Sequence, residues 1–263
     1  MTSKSTTLPV LFVGHGSPMN ALAKNDYTEA LDALGKTLPV PKCVLSISAH
    51  WLTNGTFITS TETPKQIYDF NGFPEELYQV KYPAKGSPEI AAKIQQLIPT
   101  EIKPDVGEWG LDHGTWSVLQ HLYPKADIPV LQLSLDIQQP PEYHLQLGEQ
   151  LRVLRDEGIL LVASGNIVHN LRAFSWTEND EIFPWALEFD TWVKQQIETR
   201  NFKALAQDFN KTPAGKMSVP SLDHYLPLLY ILGASRPDDK LSFFYEKIQN
   251  SSIAMRSMIY SVA

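Results

Sequence analysis

Apolar residues in this chain follow two rhythms, which alternate. One is a short unbroken run; the other is a longer stretch with apolar positions three or four residues apart. Residues 8–13 and 159–163 are such runs, residues 44–48 and 130–135 are apolar but for Ser and Gln, and residues 56–59 are a shorter candidate. Runs of this length fit strands buried on both faces of a sheet. Between them, residues 27–34, 114–122, 141–157, 184–199 and 221–232 show helical spacing. A further helix begins at Ser87-Pro88 and runs to Leu97, with Ser at the N-cap and Pro at the first helical position. Residues 64–83, rich in Pro and aromatics, predict a long packed loop. Residues 241–244 and 255–262 predict an antiparallel edge. The alternation predicts an α/β fold: a single domain over residues 1–263, with a central, mostly parallel (mixed) sheet flanked by helices.

Composition narrows the function more than the fold. The 263 residues carry a formal net charge of −7, which argues against a nucleic-acid footprint and favours a small molecule as partner. No apolar stretch approaches the ~20 residues of a membrane span. Residues 1–7 are polar and lack the apolar core of a signal peptide. The single cysteine, Cys43, forms no internal disulfide and reads as a small buried hydrophobe. These features predict a soluble, cytoplasmic protein; the sequence carries no signal for an oligomeric state.

The candidate chemistry lies in the seven histidines. Ligands of open α/β sheets bind at the carboxyl ends of the strands. His15 follows the run 11–14, His50 follows 45–49, and His169 lies just past 160–165. His224 opens the apolar stretch 225–229, and Asp223 before it can cap the helix or orient a ring nitrogen. Neutral imidazole is the commonest protein metal ligand and suits iron, zinc and copper. His15, His50, His169 and His224 are therefore the metal-ligand candidates. None belongs to a tight local motif such as His-Glu-x-x-His. His113 sits in a turn between Trp109 and Trp116, whereas His121 and His144 lie in helical stretches and read as surface or packing residues. The three tryptophans Trp51, Trp109 and Trp116 read as core rather than as pocket lining. A hydrolase triad using Ser17 or Ser164 stays open, although the Gly-x-Ser-x-Gly elbow is absent. Gly14 and Gly16 lack the third glycine of a dinucleotide fingerprint.

Five segments together resemble the 4,5-DOPA extradiol dioxygenase family, within the class III extradiol ring-cleaving dioxygenases. They are Gly14-His15-Gly16-Ser17-Pro18-Met19-Asn20, Ser48-Ala49-His50-Trp51, Gly110-Leu111-Asp112-His113-Gly114-Thr115-Trp116, Ser164 to Leu171 and Asp223 to Leu228. The resemblance implies a ring-opening oxygenase that cleaves a catechol such as L-DOPA with O₂ at one non-haem metal. It implies Fe(II) as the working ion, held by His15, His50 and His224. His169 becomes a fourth ligand or the base, with a pKa near working pH. His113 faces substrate and oxygen as proton donor. Many class III enzymes use two His and one carboxylate, whereas these motifs offer His throughout, a set that Zn(II) also accepts. A zinc hydrolase on the same histidines and a non-catalytic binding protein are the rival readings. Arg172 or Lys216 is the candidate cation for a substrate carboxylate.

Overall fold

The computed structural model describes residues 7–175 and 181–262; all but Thr7 of the polar opening stretch lies outside them. In chain order the strands are β1 (Val10–Gly14), β2 (Cys43–Thr53), β3 (Thr56–Thr59), β4 (Ile102–Asp105), β5 (Val130–Asp136), β6 (Ile159–Gly165), β7 (Lys240–Tyr245), β8 (Ile248–Gln249), β9 (Ile253–Ala254) and β10 (Ser257–Ser261). The helices are α1 (Asp26–Gly35), α2 (Glu75–Tyr78), α3 (Pro88–Leu97), α4 (His113–Leu122), α5 (Pro141–Leu151), α6 (Pro184–Glu198), α7 (Phe202–Gln207), α8 (Pro213–Ser218) and α9 (Leu226–Ala234).

Eight strands form one mixed sheet in the order β4-β3-β5-β2-β6-β1-β10-β7. Its centre, β5-β2-β6-β1, is parallel. The expected antiparallel edge is present, since β10 pairs antiparallel with both β1 and β7. β5 and β6 are buried at every position; β6 is apolar nearly throughout, while Gln132 and Ser134 of β5 bond to Asp112 and Thr53. Alternate side chains serve two cores: Val10 and Phe12 of β1 join α5, α6 and α9 on one face, and Leu11 and Val13 join α1 and α4 on the other.

Several elements differ from the sequence expectation, among them β4, α5 and α9. β4 was not expected, because Pro104 interrupts its run; it is tolerated there because β4 lies at the edge of the sheet. The stretch expected as one helix over 141–157 is α-helical only to Leu151 and continues as a 3-10 turn over Arg152–Arg155. α9 begins at Leu226 rather than at 221, which keeps Pro227 in its first turn, where a missing N–H costs nothing. His224 therefore stands on the turn before the helix.

His144 is fully buried on α5, its Nδ1 2.9 Å from the Tyr230 hydroxyl of α9. Burial pushes this imidazole down to about 4. In the unfolded chain it returns to about 6.5, so the unfolded state binds more protons between those values. Stability tied to His144 is present above pH 6.5 and is lost as pH falls, by about 1 kcal/mol between pH 6.5 and 5.5. Urea unfolding at those two pH values should show a correspondingly smaller difference for His144→Gln. An unchanged difference would contradict the assignment.

Candidate active site

Five separate segments deliver His15, His50, His113, His169 and His224 to one cavity of about 410 Å³. His15 follows the last residue of β1, and its backbone N–H is held by Gly165 O of β6 at 3.1 Å. Gly16 next to it has φ +60°, a conformation that glycine adopts at no cost. The strand bearing His50 does not stop at Ser48 as expected; β2 runs on to Thr53. Its ladder with β5 skips from Ile47–Leu133 to Leu52–Leu135. The extra residues form a bulge, a device that re-aims side chains near sites, and His50 lies within it. His113 opens α4 behind the N-cap Asp112. Gly114 follows; a Cβ there would lie 2.6 Å from Ser48 Oγ and 3.1 Å from the His50 ring, so the helix approaches β2 only because this residue is glycine. His169 makes an isolated bridge to Ile253, and His224 O accepts the Asn166 N–H at 2.9 Å.

The rings converge closely. His15 Nε2 and His50 Nε2 are 3.1 Å apart, and His169 stacks on His224 with centroids 3.5 Å apart. Ring nitrogens of His15, His50 and His113 lie within 4.8 Å of one another. The His224 ring centroid is 5.0 Å from that of His50 and 5.3 Å from that of His15. Four of the five rings have a partner at Nδ1. His15 meets Ser164 Oγ at 2.8 Å, and His224 meets Asp223 at 2.6 Å. His113 meets Asp69 at 2.9 Å, while His50 lies 3.4 Å from the same carboxylate. Partners of this kind orient histidine ligands and raise their basicity. Asp223 therefore orients a ring, the second of its two expected roles. Ser164, fully buried against His15, is in no position to serve as a nucleophile.

Burial, reinforced by the neighbouring imidazoles, holds His15 and His50 well below the usual histidine range. His169 is pushed down to about 3 by burial and by the charge of His224. The expectation that it titrates near working pH is thus corrected: its surroundings keep it neutral. Burial opposes the charge of Asp223, yet its bond to His224 holds the carboxyl well below the usual range. Asp112, buried behind His113, is pushed up to about 6 by burial and the nearby Asp69. A cluster of imidazoles with converging nitrogens, of which His15, His50 and His169 are held neutral by burial, is a donor set that fits a divalent transition metal.

Phe70, Phe73, Phe174, Leu171 and Ile253 make the cavity's apolar wall. These phenylalanines were not singled out in the sequence. Trp116 belongs to the core, and Trp51 stacks on Trp109 away from the cavity lining. Arg172 and Lys216, the expected cations, are exposed, and neither lines the cavity. His121 pairs with Asp32 outside it. Asp69 is the main residue that sequence reading missed. Its one signal was a carboxylate set within the aromatic run Tyr68-Asp69-Phe70.

Residues 9–259 match the family described as the catalytic LigB subunit of aromatic ring-opening dioxygenase. The chain belongs to this family. A protein of Escherichia coli K12 named 4,5-DOPA dioxygenase extradiol is 45% identical over 97% of this chain and 95% of its own. A protein of the same name from Beta vulgaris is 34% identical over 93% of each. A crystal structure of an uncharacterized Escherichia coli K12 protein superposes with a TM-score of 0.84 at 41% identity, covering 97% of this chain and 100% of that one. As a LigB-family member the chain is an aromatic ring-opening dioxygenase, an oxidoreductase on a mixed α/β sheet. Among the described residues no helix is long and apolar enough to cross a membrane.

Proposed function

We propose that this dioxygenase opens a catechol by extradiol cleavage with O₂, at one metal held by His15, His50 and His224. The observation that carries the reading is the convergence of five histidines on one cavity that three phenylalanines also line. Fe(II), when bound there, supplies the redox chemistry that brings O₂ and a catechol to reaction; Zn(II) suits the same imidazoles but has no redox chemistry. The chain's own residues do the rest. Phe70, Phe73 and Phe174 pack the ring and exclude water from it. His169, neutral and stacked on His224, accepts a hydrogen bond from a catechol hydroxyl and orients it. His113, with Nδ1–H committed to Asp69, presents the Nε2 lone pair to the cavity, takes up a catechol proton there and returns it as the ring opens.

A second reading has its own support. By distance, the tightest group of ring nitrogens is His15, His50 and His113, which would make His113 the third ligand.

The test is anaerobic loading with Fe(II), then addition of L-DOPA and other catechols in air. Oxygen uptake with a yellow ring-fission product is expected, and the Zn(II)-loaded protein should be silent. Absence of both signals across the catechols would overturn the reading. Ester or amide hydrolysis by the zinc form without oxygen would establish the hydrolase instead.

A further inference from the structure

Asp69 is held more firmly than its place in a long loop suggests. The segment before it pairs with the approach to α4: Gln66 bridges Leu111, Ile67 N donates to Leu111 O, and Leu111 N donates to Lys65 O, both at 2.8 Å. The indole of Trp116 donates to Ile67 O at 2.9 Å. The backbone is thus fixed on two sides just before the carboxylate. Asp69 Oδ1 accepts the His113 backbone N–H, and Oδ2 faces His113 Nδ1, each at 2.9 Å. The same Oδ2 stands 3.4 Å from His50 Nδ1, longer than a well-formed hydrogen bond but close enough for charge to act. The two rings it addresses are 4.0 Å apart, centroid to centroid.

We infer that Asp69 is a positioning residue shared by a metal-binding histidine and the substrate-facing one. A carboxylate has only acceptors, so it selects the Nδ1–H form of His113 and leaves Nε2 with a lone pair toward the cavity. It draws the Nδ1–H of His50 in the same way, which frees the His50 Nε2 that faces His15. One side chain therefore sets the orientation and tautomer of both rings without touching substrate. Asn at this position would keep an acceptor for the backbone N–H but present an NH₂ group to two Nδ1 atoms. His113 would then be driven to the Nε2–H form, with a donor where the cavity needs a lone pair.

The inference rests on the proposed function only in its kinetic arm. Asp69→Asn should weaken Zn(II) or Co(II) binding by 10–100-fold in a chelator-competition titration, the usual cost of removing a ligand's hydrogen-bond partner. In the iron enzyme it should lower kcat at least 100-fold while KM moves little, and Asp69→Glu should restore part of both losses. Nitrogen-15 NMR of the histidine rings in the metal-free wild type should show His113 in the Nδ1–H form, and in Asp69→Asn the Nε2–H form. The inference is overturned if the variant binds metal like wild type and leaves the His113 tautomer unchanged. If Asn at position 69 prevents folding, the wild-type spectrum alone decides, and an Nε2–H His113 there is the overturning result. A wild type that turns over no catechol would refute the dioxygenase reading, while the metal and NMR arms would still judge Asp69.

Discussion

His113→Ala retains one metal per chain and loses turnover by about 10²–10⁴-fold, the usual contribution of a placed acid or base. His224→Ala, by contrast, loses the metal. Both histidines carry a carboxylate at Nδ1, Asp69 for one and Asp223 for the other, so hydrogen bonding alone does not separate their roles. Their surroundings do. His113 opens a helix and faces Phe70, with ring centroids 5.6 Å apart, on the wall where an aromatic ring would pack. His224 is stacked against His169, and its ring lies 5.0 Å from that of His50 and 5.3 Å from that of His15. Metal content by atomic emission, measured beside oxygen uptake for the two variants, separates the readings. Metal lost with His113 and retained without His224 would make His15, His50 and His113 the site. In either case His15→Ala and His50→Ala should bind no metal, since their Nε2 atoms face each other at 3.1 Å and each leaves the other without its partner.

The largest effect on stability is expected far from the cavity. Arg155 is wholly buried, and its guanidinium is bound by Asp239 through Nη1 at 2.6 Å and Nη2 at 2.8 Å. Nε donates to Leu8 O and Nη1 to Ala234 O, so this one side chain joins the entrance of β1, the end of α9 and the turn before β7. Asp239→Ala strands a buried cation. Breaking a buried pair from one side costs about 3–5 kcal/mol, which for a chain of this size lowers Tm by roughly 10 °C. Replacing both partners, with Arg155→Met and Asp239→Leu, should recover much of the loss because no charge remains uncompensated. Calorimetry on the three proteins checks this; a loss below about 1 kcal/mol for Asp239→Ala would show that water reaches the site.

The parts of this architecture that show in the sequence are those set by burial on both faces. β1, β2, β5 and β6 are largely apolar because helices cover each side of the sheet, and the histidines beyond β1, β2 and β6 were findable as polar residues following those stretches. β4 did not show, since an edge strand tolerates Pro104 and needs no apolar run. The bulge that aims His50 did not show either, because it exists only in the mismatch of β2 against β5. Asp69 and the three phenylalanines of the cavity wall belong to segments whose contacts are long-range. No local spacing distinguishes a carboxylate that clamps two imidazoles from one that faces solvent. His224 was placed within a helix because its neighbours are apolar; Pro227, which moves the helix start, was the clue to the turn.

β1 has a further consequence for how the protein is made. Val10 pairs with Leu161 on one side and with Tyr260 on the other. A nascent chain therefore exposes one of its most apolar strands early and cannot pair its second edge until residues 258–260 have left the ribosome. At common synthesis rates that interval is on the order of tens of seconds. Gln249, Asn250 and Ile253, which line the cavity, arrive just as late. His15 is thus translated first among the five histidines and enclosed last. A chain stopped before Gln249 would therefore keep one edge of β1 unpaired and the cavity open on that side.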